Sequence, residues 1–289
     1  MNMEEKTASP APINILSFDI EEWFMLHDTR VFPPESWKKF TPRVEYNTFR
    51  VLELLSKTGT KGVFYILGWV AEHYPALVYE IALAGHEIGY HSYYHHNNDM
   101  LGPAAFEADL QRGLSLLEKI TGQRPVLYRS PNFSMHAGNL WAIPILMRNG
   151  ITINSSIRRL KRPDGSFFPA RPFKWQVGGE SLWEFPLAGA RVGGLKVHYA
   201  GSGHFRLLPD ALIHHFTRRT DYNMYYFHPR DFDDHPQRSP RLSALRNFKN
   251  SFRTQSALAR LEKLITRHQF ISFSEALEHI RDFETISLD

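Results

Sequence analysis

The chain has 289 residues, 43% of them hydrophobic and 13% aromatic, with a formal net charge of +4. That content is enough for one large α/β core, and the basic residues are scattered without a run of five, which argues against nucleic-acid and membrane-surface binding. There is no cysteine and hence no disulfide framework.

Residues 1–12 are polar and contain proline, with no apolar stretch of the signal-peptide kind, and read as a disordered tail ahead of a single domain over 13–289. The longest apolar run, 63–71, is too short to cross a bilayer, so a cytoplasmic, bacterial-type protein is expected unless a leader has been removed. A strand is predicted over 13–19, then a Pro-rich loop to about residue 42 and a helix over 43–57 that stops at Gly59. A strand over 62–67, a helix over 75–84 and a short strand over 87–90 follow. Residues 103–121 carry the pattern of a long amphipathic helix, with Pro at its start and Gly122 past its end. Strands at 126–129 and 151–154 flank a helix over 139–149. Residues 167–197 break the alternation with several Gly and Pro and short apolar runs, and read as a β-hairpin insertion. The remaining elements are a helix over 209–219, a strand over 222–227, a helix over 241–267, a strand over 270–273 and a closing helix. Strand–helix alternation of this kind implies parallel strands joined by right-handed crossovers, in a doubly wound sheet or a barrel.

The first strand ends in three acids within four positions, Asp19, Glu21 and Glu22. Carboxylates at the exit of a parallel strand stand where α/β folds place their chemistry. In extended chain Asp19 and Glu21 point to one side and Glu22 to the other, as a base beside a metal would require. The plain alternative is a solvated acidic loop. His91 and His95 are four residues apart, which on a helical turn sets both imidazoles on one face. Two His and a carboxylate can hold one ion and leave a position open for water, although 15 His in the chain also make chance pairs common. Tyr128-Arg129-Ser130-Pro131-Asn132 and Tyr225-Tyr226-Phe227-His228-Pro229 again follow short apolar stretches, so all four elements fall at predicted strand ends. Asp231, Asp233, Asp234 and His235 read as a solvated loop ahead of a cation site. Gly201-Ser202-Gly203-His204 reads as a flexible turn, and His86, His96, His214 and His215 as hydrogen-bonded or exposed histidines.

These four elements, in this order, resemble the NodB-type polysaccharide deacetylases of carbohydrate esterase family 4. That family carries T-F-D-D on its first strand, then H-[ST]-x-x-H, an R-x-P element and a closing L-x-H. The counterparts here are Ser17-Phe18-Asp19, His91 to His95, Arg129-Ser130-Pro131 and Tyr226-Phe227-His228. The chain is closer still to a subgroup linked to exopolysaccharide gene clusters, with F-D-V-E-D-W-F, L-G-W-V-A-E, G-H-E-I-x-x-H, Y-R-x-P-x-F-S and Y-F-R-L-L-P. Residues 18–24, 67–72, 85–91, 128–134 and 204–209 occupy those places, and the likeness runs from about residue 13 to the C-terminus.

The resemblance implies an irregular (β/α)7 barrel with the four elements at its C-terminal mouth. It implies a metal-dependent hydrolase that removes N-acetyl groups from an N-acetylated sugar of a surface polysaccharide or its precursor, in exopolysaccharide or O-antigen biosynthesis. One divalent ion, zinc before cobalt, nickel, iron or manganese, would be held by Glu21, His91 and His95. Asp19 would be the general base, oriented by Arg129, and His228 the general acid. Asn132, with Pro131 and Tyr128, would serve the oxyanion and the substrate. Ile20 stands where the family has its second Asp, so Glu21 is the substitute ligand. Glu184, in Trp183-Glu184-Phe185-Pro186, is the candidate for the family's acid near a Trp, and Glu22 is a reserve proton acceptor. The expected partner is the saccharide, with no nucleic acid and no integral membrane segment. A related barrel enzyme cutting another C–N bond, such as a cyclic amide, and a non-catalytic carbohydrate-binding barrel both stay open.

Overall fold

Strand β1 (Ile13–Ile20) is buried from Asn14 onward, as a parallel strand covered on both faces must be. It belongs to a computed structural model that describes residues 12–26, 31–158, 160–161, 165–192 and 195–288, so the expected tail, but for Pro12, lies outside the described residues. The chain continues through α1 (Val44–Thr58), β2 (Val63–Ile66), α2 (Gly68–His73), α3 (Pro75–Leu83), β3 (Glu87–Tyr90) and α4 (Asn98–Thr121). Next come β4 (Leu127–Tyr128), α5 (Ala142–Arg148), β5 (Ile153–Asn154), β6 (Phe173–Val177), β7 (Glu180–Glu184), β8 (Ala190–Val192) and β9 (Leu195–Val197). The chain ends with α6 (Ser202–Leu207), α7 (Asp210–Arg219), β10 (Tyr222–Phe227), α8 (Ala244–Ser251), α9 (Thr254–Arg267), α10 (Phe273–His279) and β11 (Thr285–Ser287).

Nine strands form one sheet in the order β10-β1-β2-β3-β4-β5-β7-β6-β11. The first seven of these are mutually parallel and stand in the order of a seven-stranded barrel. Among the described residues no ladder joins β7 to β10, so the barrel is open at that seam. Side chains fill it instead: Tyr222 donates its hydroxyl to the Pro186 carbonyl at 2.8 Å, and the Phe185 ring packs on Tyr222 and Phe273.

Three elements differ from the sequence reading. The 167–197 segment is an insertion only in part: β8 and β9 pair with each other as a separate antiparallel hairpin, but β7 is a barrel strand paired parallel with β5, and β6 is its antiparallel neighbour. Both strands of a hairpin carry the same apolar pattern, so sequence does not distinguish the one that joins the barrel. Residues 270–272 are not a strand; α10 starts at Phe273 under a Ser272–Glu275 capping box and drives Phe273 and Ala276 into the barrel floor. The helix read over 241–267 is broken into α8 and α9 at Arg253, whose φ of 54° no helix continues.

The period of two sorts every barrel strand into an inner and an outer row. Ile15, Val63, Tyr65, Leu127, Ile153 and Met224 form the inner core, while Leu16, Phe18, Phe64, Ile66, Tyr128 and Phe227 pack against the helices. Gly89 lies on the inner row of β3, where a Cβ would come 2.5 Å from the Tyr65 ring; its bareness lets Tyr65 cross the barrel.

Candidate active site

Following the inner row to the strand ends yields the polar residues of the mouth. Ile15 leads through Ser17 to Asp19 and Glu21, Gly89 to His91, Leu127 to Arg129, Ile153 to Ser155, and Met224 through Tyr226 to His228. All are on one parity because strand alternation persists a residue or two past the last ladder bond. Asp19, Glu21, His91, His95, Asn132 and His228 line one cavity of about 270 Å³.

Arg129 is fully buried beneath this cavity and ties the end of β4 to its neighbour β5 and to β1, three places away in the sheet order. Its Nη1 donates to Asp19 Oδ1 at 2.7 Å and to Ser17 Oγ at 2.9 Å, and its Nε and Nη2 donate to the Ser155 carbonyl and Oγ. The guanidinium lies 4.1 Å over the Tyr65 ring, the contact that Gly89 makes room for. Burial would raise the Asp19 carboxyl, but the adjacent Arg129 guanidinium outweighs it and holds the group below the usual carboxylate range.

Glu21, His91 and His95 bring one ligand atom each within 4.8 Å of one another, and all three are buried. The Nδ1 of His91 is held by the Arg129 carbonyl at 2.8 Å, which leaves its Nε2 for the cavity. Burial lowers the His91 pKa to about 4, so the ring is neutral, as a ligand must be. Burial opposes ionisation of Glu21, but His95 and Arg230 pull its carboxyl well below the ordinary range. Glu21 Oε2 lies 2.7 Å from His95 Nε2, yet neither this oxygen nor His95 Nδ1 has a hydrogen-bond partner among the described residues. A buried ionised oxygen without a hydrogen bond, beside two imidazoles, fits a divalent cation; the donor set of two nitrogens and a carboxylate suits zinc. The His91–His95 spacing does not arise from a helical turn. Residues 91–97 form no helix, and Ser92 (φ 62°) and His95 (φ 59°) are both left-handed, so strained backbone brings the two rings together.

His228 enters from the other side. Its backbone N–H donates to Asp231 Oδ2 at 2.9 Å and its Nδ1 lies 3.1 Å from the same oxygen, a capping box on the short turn Pro229–Phe232. Its Nε2 faces the cavity, 3.5 Å from Glu21 Oε1 and 4.0 Å from Asp19 Oδ2. Asp231 is 1% exposed and also meets Arg206 at 3.2 Å and Ser202 Oγ at 3.0 Å. Burial would raise its carboxyl, but Arg206 and His228 hold it far below the ordinary range. The acidic cluster is thus no solvated loop: Asp233 is buried against Arg43 at 2.6 Å, and Asp234 pairs with Arg43 and Arg50. Nor is the 201–204 segment only a turn. It opens α6, and Gly201 lies where a Cβ would meet the Tyr226 ring at 2.2 Å.

Several expected residues lie elsewhere. Tyr128 is on the outer row of β4, packed on Phe106, with its hydroxyl donating to Asn98; parity excludes it from the cavity that Arg129 reaches. Pro131 is buried in the turn that carries Asn132, whose φ of 59° sets its backbone at the cavity wall. Glu22 points away and accepts the N–H groups of Arg43 and Val44 at the start of α1, with burial raising its pKa to about 7. Glu184 is fully buried at the end of β7 and accepts from the backbone of Ser156 and Ile157 and from Asn154. It braces the segment that offers Ser155 to Arg129. Sequence reading assigns no role to Arg230 or Arg206 and places Asp231 in a solvated loop; the His228-to-Asp231 spacing of a capping box is the one local signal.

Residues 39–143 match the family model described as polysaccharide deacetylase, and residues 155–278 match a domain of unknown function, DUF3473. A peptidoglycan-N-acetylglucosamine deacetylase of Bacillus cereus is 31% identical over 90 residues, 31% of this chain and 32% of that protein. A chitin deacetylase of Pestalotiopsis is 31% identical over 93 residues, 31% of each chain. The chain spans about a third of the length of these curated relatives. A solved structure described as a putative polysaccharide deacetylase from Mycobacterium smegmatis superposes with a TM-score of 0.66 at 19% identity, over 96% of this chain and 92% of that one. Puue allantoinase superposes with a TM-score of 0.60 at 15% identity, over 94% and 91%. Both superpositions support the α/β barrel fold. The chain is therefore similar to polysaccharide deacetylases over residues 39–143 and to DUF3473 over residues 155–278, in an α/β barrel fold.

Proposed function

We propose that the chain is a metal-dependent hydrolase that removes N-acetyl groups from an N-acetylated sugar of a surface polysaccharide or its precursor. The observation that carries this reading is the convergence of Asp19, Glu21, His91, His95 and His228, from separate strand ends, on one cavity. A divalent ion held by Glu21, His91 and His95 would supply a Lewis acid for the water and the amide carbonyl.

The chain's own residues do the rest. Asp19, kept ionised by Arg129, takes the proton of the attacking water. Water oxygen bonds to the acetyl carbon, and the backbone at Asn132 is our candidate for the amide that steadies the oxyanion. His228 gives a proton from Nε2 to the amine nitrogen as the C–N bond breaks, leaving acetate and a free amine. Asp231 holds the imidazole through Nδ1 so that Nε2 faces the reaction.

The test is acetate release from an N-acetylglucosamine oligomer by the zinc-loaded chain, with ring opening of a cyclic amide as the competing assay. Asp19→Asn should retain zinc and lose about 100- to 10,000-fold of the acetate activity. Ring opening without acetate release would move the chain to the cyclic-amide reading, and zinc binding with neither reaction would favour a carbohydrate-binding barrel.

A further inference from the structure

The catalytic groups leave part of the cavity wall unused. Three further arginines line it: Arg158 from the segment after β5, Arg230 from the turn after β10, and Arg246 from α8. Arg230 is compensated, because its Nη1 binds Glu21. Arg129, below the floor, is compensated by Asp19. Among the described residues no carboxylate pairs with Arg158 or Arg246. Both are exposed, and Asn250, one turn beyond Arg246 on α8, lines the same wall.

From these placements we infer that the cavity takes an anionic saccharide, with a carboxylate or phosphate on or next to the N-acetylated sugar held by Arg158 and Arg246. This deepens the deacetylase reading and rests on it. A neutral acetamido sugar needs no net positive charge, since amides and hydroxyls satisfy its hydroxyl groups. Two exposed guanidiniums on the wall of one cavity, with no carboxylate partner among the described residues, offer an oxyanion forked, charge-assisted hydrogen bonds. Asp19 and Glu21, the acids of the cavity, are already engaged by Arg129 and Arg230, so they do not neutralise the outer pair. Arg158 and Phe133 also line an adjoining groove of about 330 Å³ with His136 and His198. Arg158 therefore lies where the cavity continues, a position for the neighbouring unit of a chain more than for the acetamide. Phe133, packed on Tyr226, offers an apolar ring there for a sugar face.

Three saccharides with the same N-acetyl group test this on the zinc-loaded full chain: neutral tri-N-acetylchitotriose, a hyaluronan tetrasaccharide carrying glucuronate, and N-acetylglucosamine 1-phosphate. One anionic saccharide should exceed the neutral one by about tenfold or more in kcat/KM, the yield of one charge-assisted hydrogen bond. That ratio should shrink in high salt, and it should collapse towards one in the double variant Arg158→Gln/Arg246→Gln. The better of the two anions identifies carboxylate or phosphate as the recognised group. If none of the three releases acetate, the deacetylase reading fails, and the three dissociation constants, measured by calorimetry, then test the anion subsite by the same ratio. A neutral saccharide equal to both anions, or a ratio unchanged in a correctly folded double variant, overturns the inference.

Discussion

The two sides of the cavity are built in different ways. The side holding Asp19 and Arg129 is made by strand register: both residues continue inner rows whose earlier members are core, and they meet fully buried at 2.7 Å. The side holding His228 is made by a turn and by partners remote in sequence. Asp231 reaches it through a capping box, Ser202 and Arg206 come from α6, and Arg230 crosses to Glu21. The first side falls within or before the polysaccharide deacetylase match, the second within DUF3473. Register fixes a carboxylate rigidly, whereas a turn-borne imidazole takes its orientation from the groups that surround it.

Variants on each side should separate the two constructions. His228→Ala should cut amide turnover by about 100-fold or more while zinc content and melting behaviour barely change. An activated ester of the same sugar needs less help in leaving and should lose less; equal losses on amide and ester would remove His228 as the proton donor. On the register side the damage should fall on stability. Arg129→Met leaves Asp19 buried without its cation, a change that costs about 3–5 kcal/mol in comparable sites, readable by urea unfolding. Arg129→Lys should recover only part, because an ammonium does not reproduce the fork that reaches Ser17, Asp19 and Ser155 together. A loss no larger than that of a surface substitution would show that register alone holds the strand ends.

Glu184 extends the comparison to pH. Burial raises its pKa to about 7 in the folded chain, although several donors soften the effect. Its protonated form is therefore favoured by folding: the contribution is complete below the unfolded carboxyl range and is lost as pH rises through about 7. The wild type should gain up to about 2.5 kcal/mol over Glu184→Gln between pH 7.5 and pH 5, an upper bound from linkage. Parallel stability curves for the two proteins would contradict it. The smallest expected effect is that of Asp231→Asn. Loss of the ion behind His228 should lower amide turnover about tenfold, as removal of an outer partner does elsewhere, with no change in zinc affinity.

The legible parts of the sequence were those set by short-range periodicity. Alternation put Asp19 and Glu21 on one side of β1 and Glu22 on the other, and the structure has them so placed. The same rule on β4 separates Tyr128 from Arg129, although the two are adjacent in one motif. Asp231 and Asp233 look like solvated acids in sequence because their partners, Arg206 and Arg43, stand 25 and 190 residues away. The His91–His95 pairing depends on two left-handed residues that no helix template contains. The barrel role of β7 depends on which hairpin strand finds β5, a choice made by tertiary packing.

The central claim is that one zinc-dependent site, built from Glu21, His91 and His95 beside Asp19 and His228, hydrolyses an acetamide. Chelating the metal from the full chain and returning zinc stepwise, while measuring acetate from an N-acetylated oligosaccharide, tests it most directly. Acetate release should fall to background on chelation and return in proportion to bound zinc, saturating at about one ion per chain. Release that survives chelation, or one zinc bound with no acetate from any N-acetylated saccharide, would contradict it.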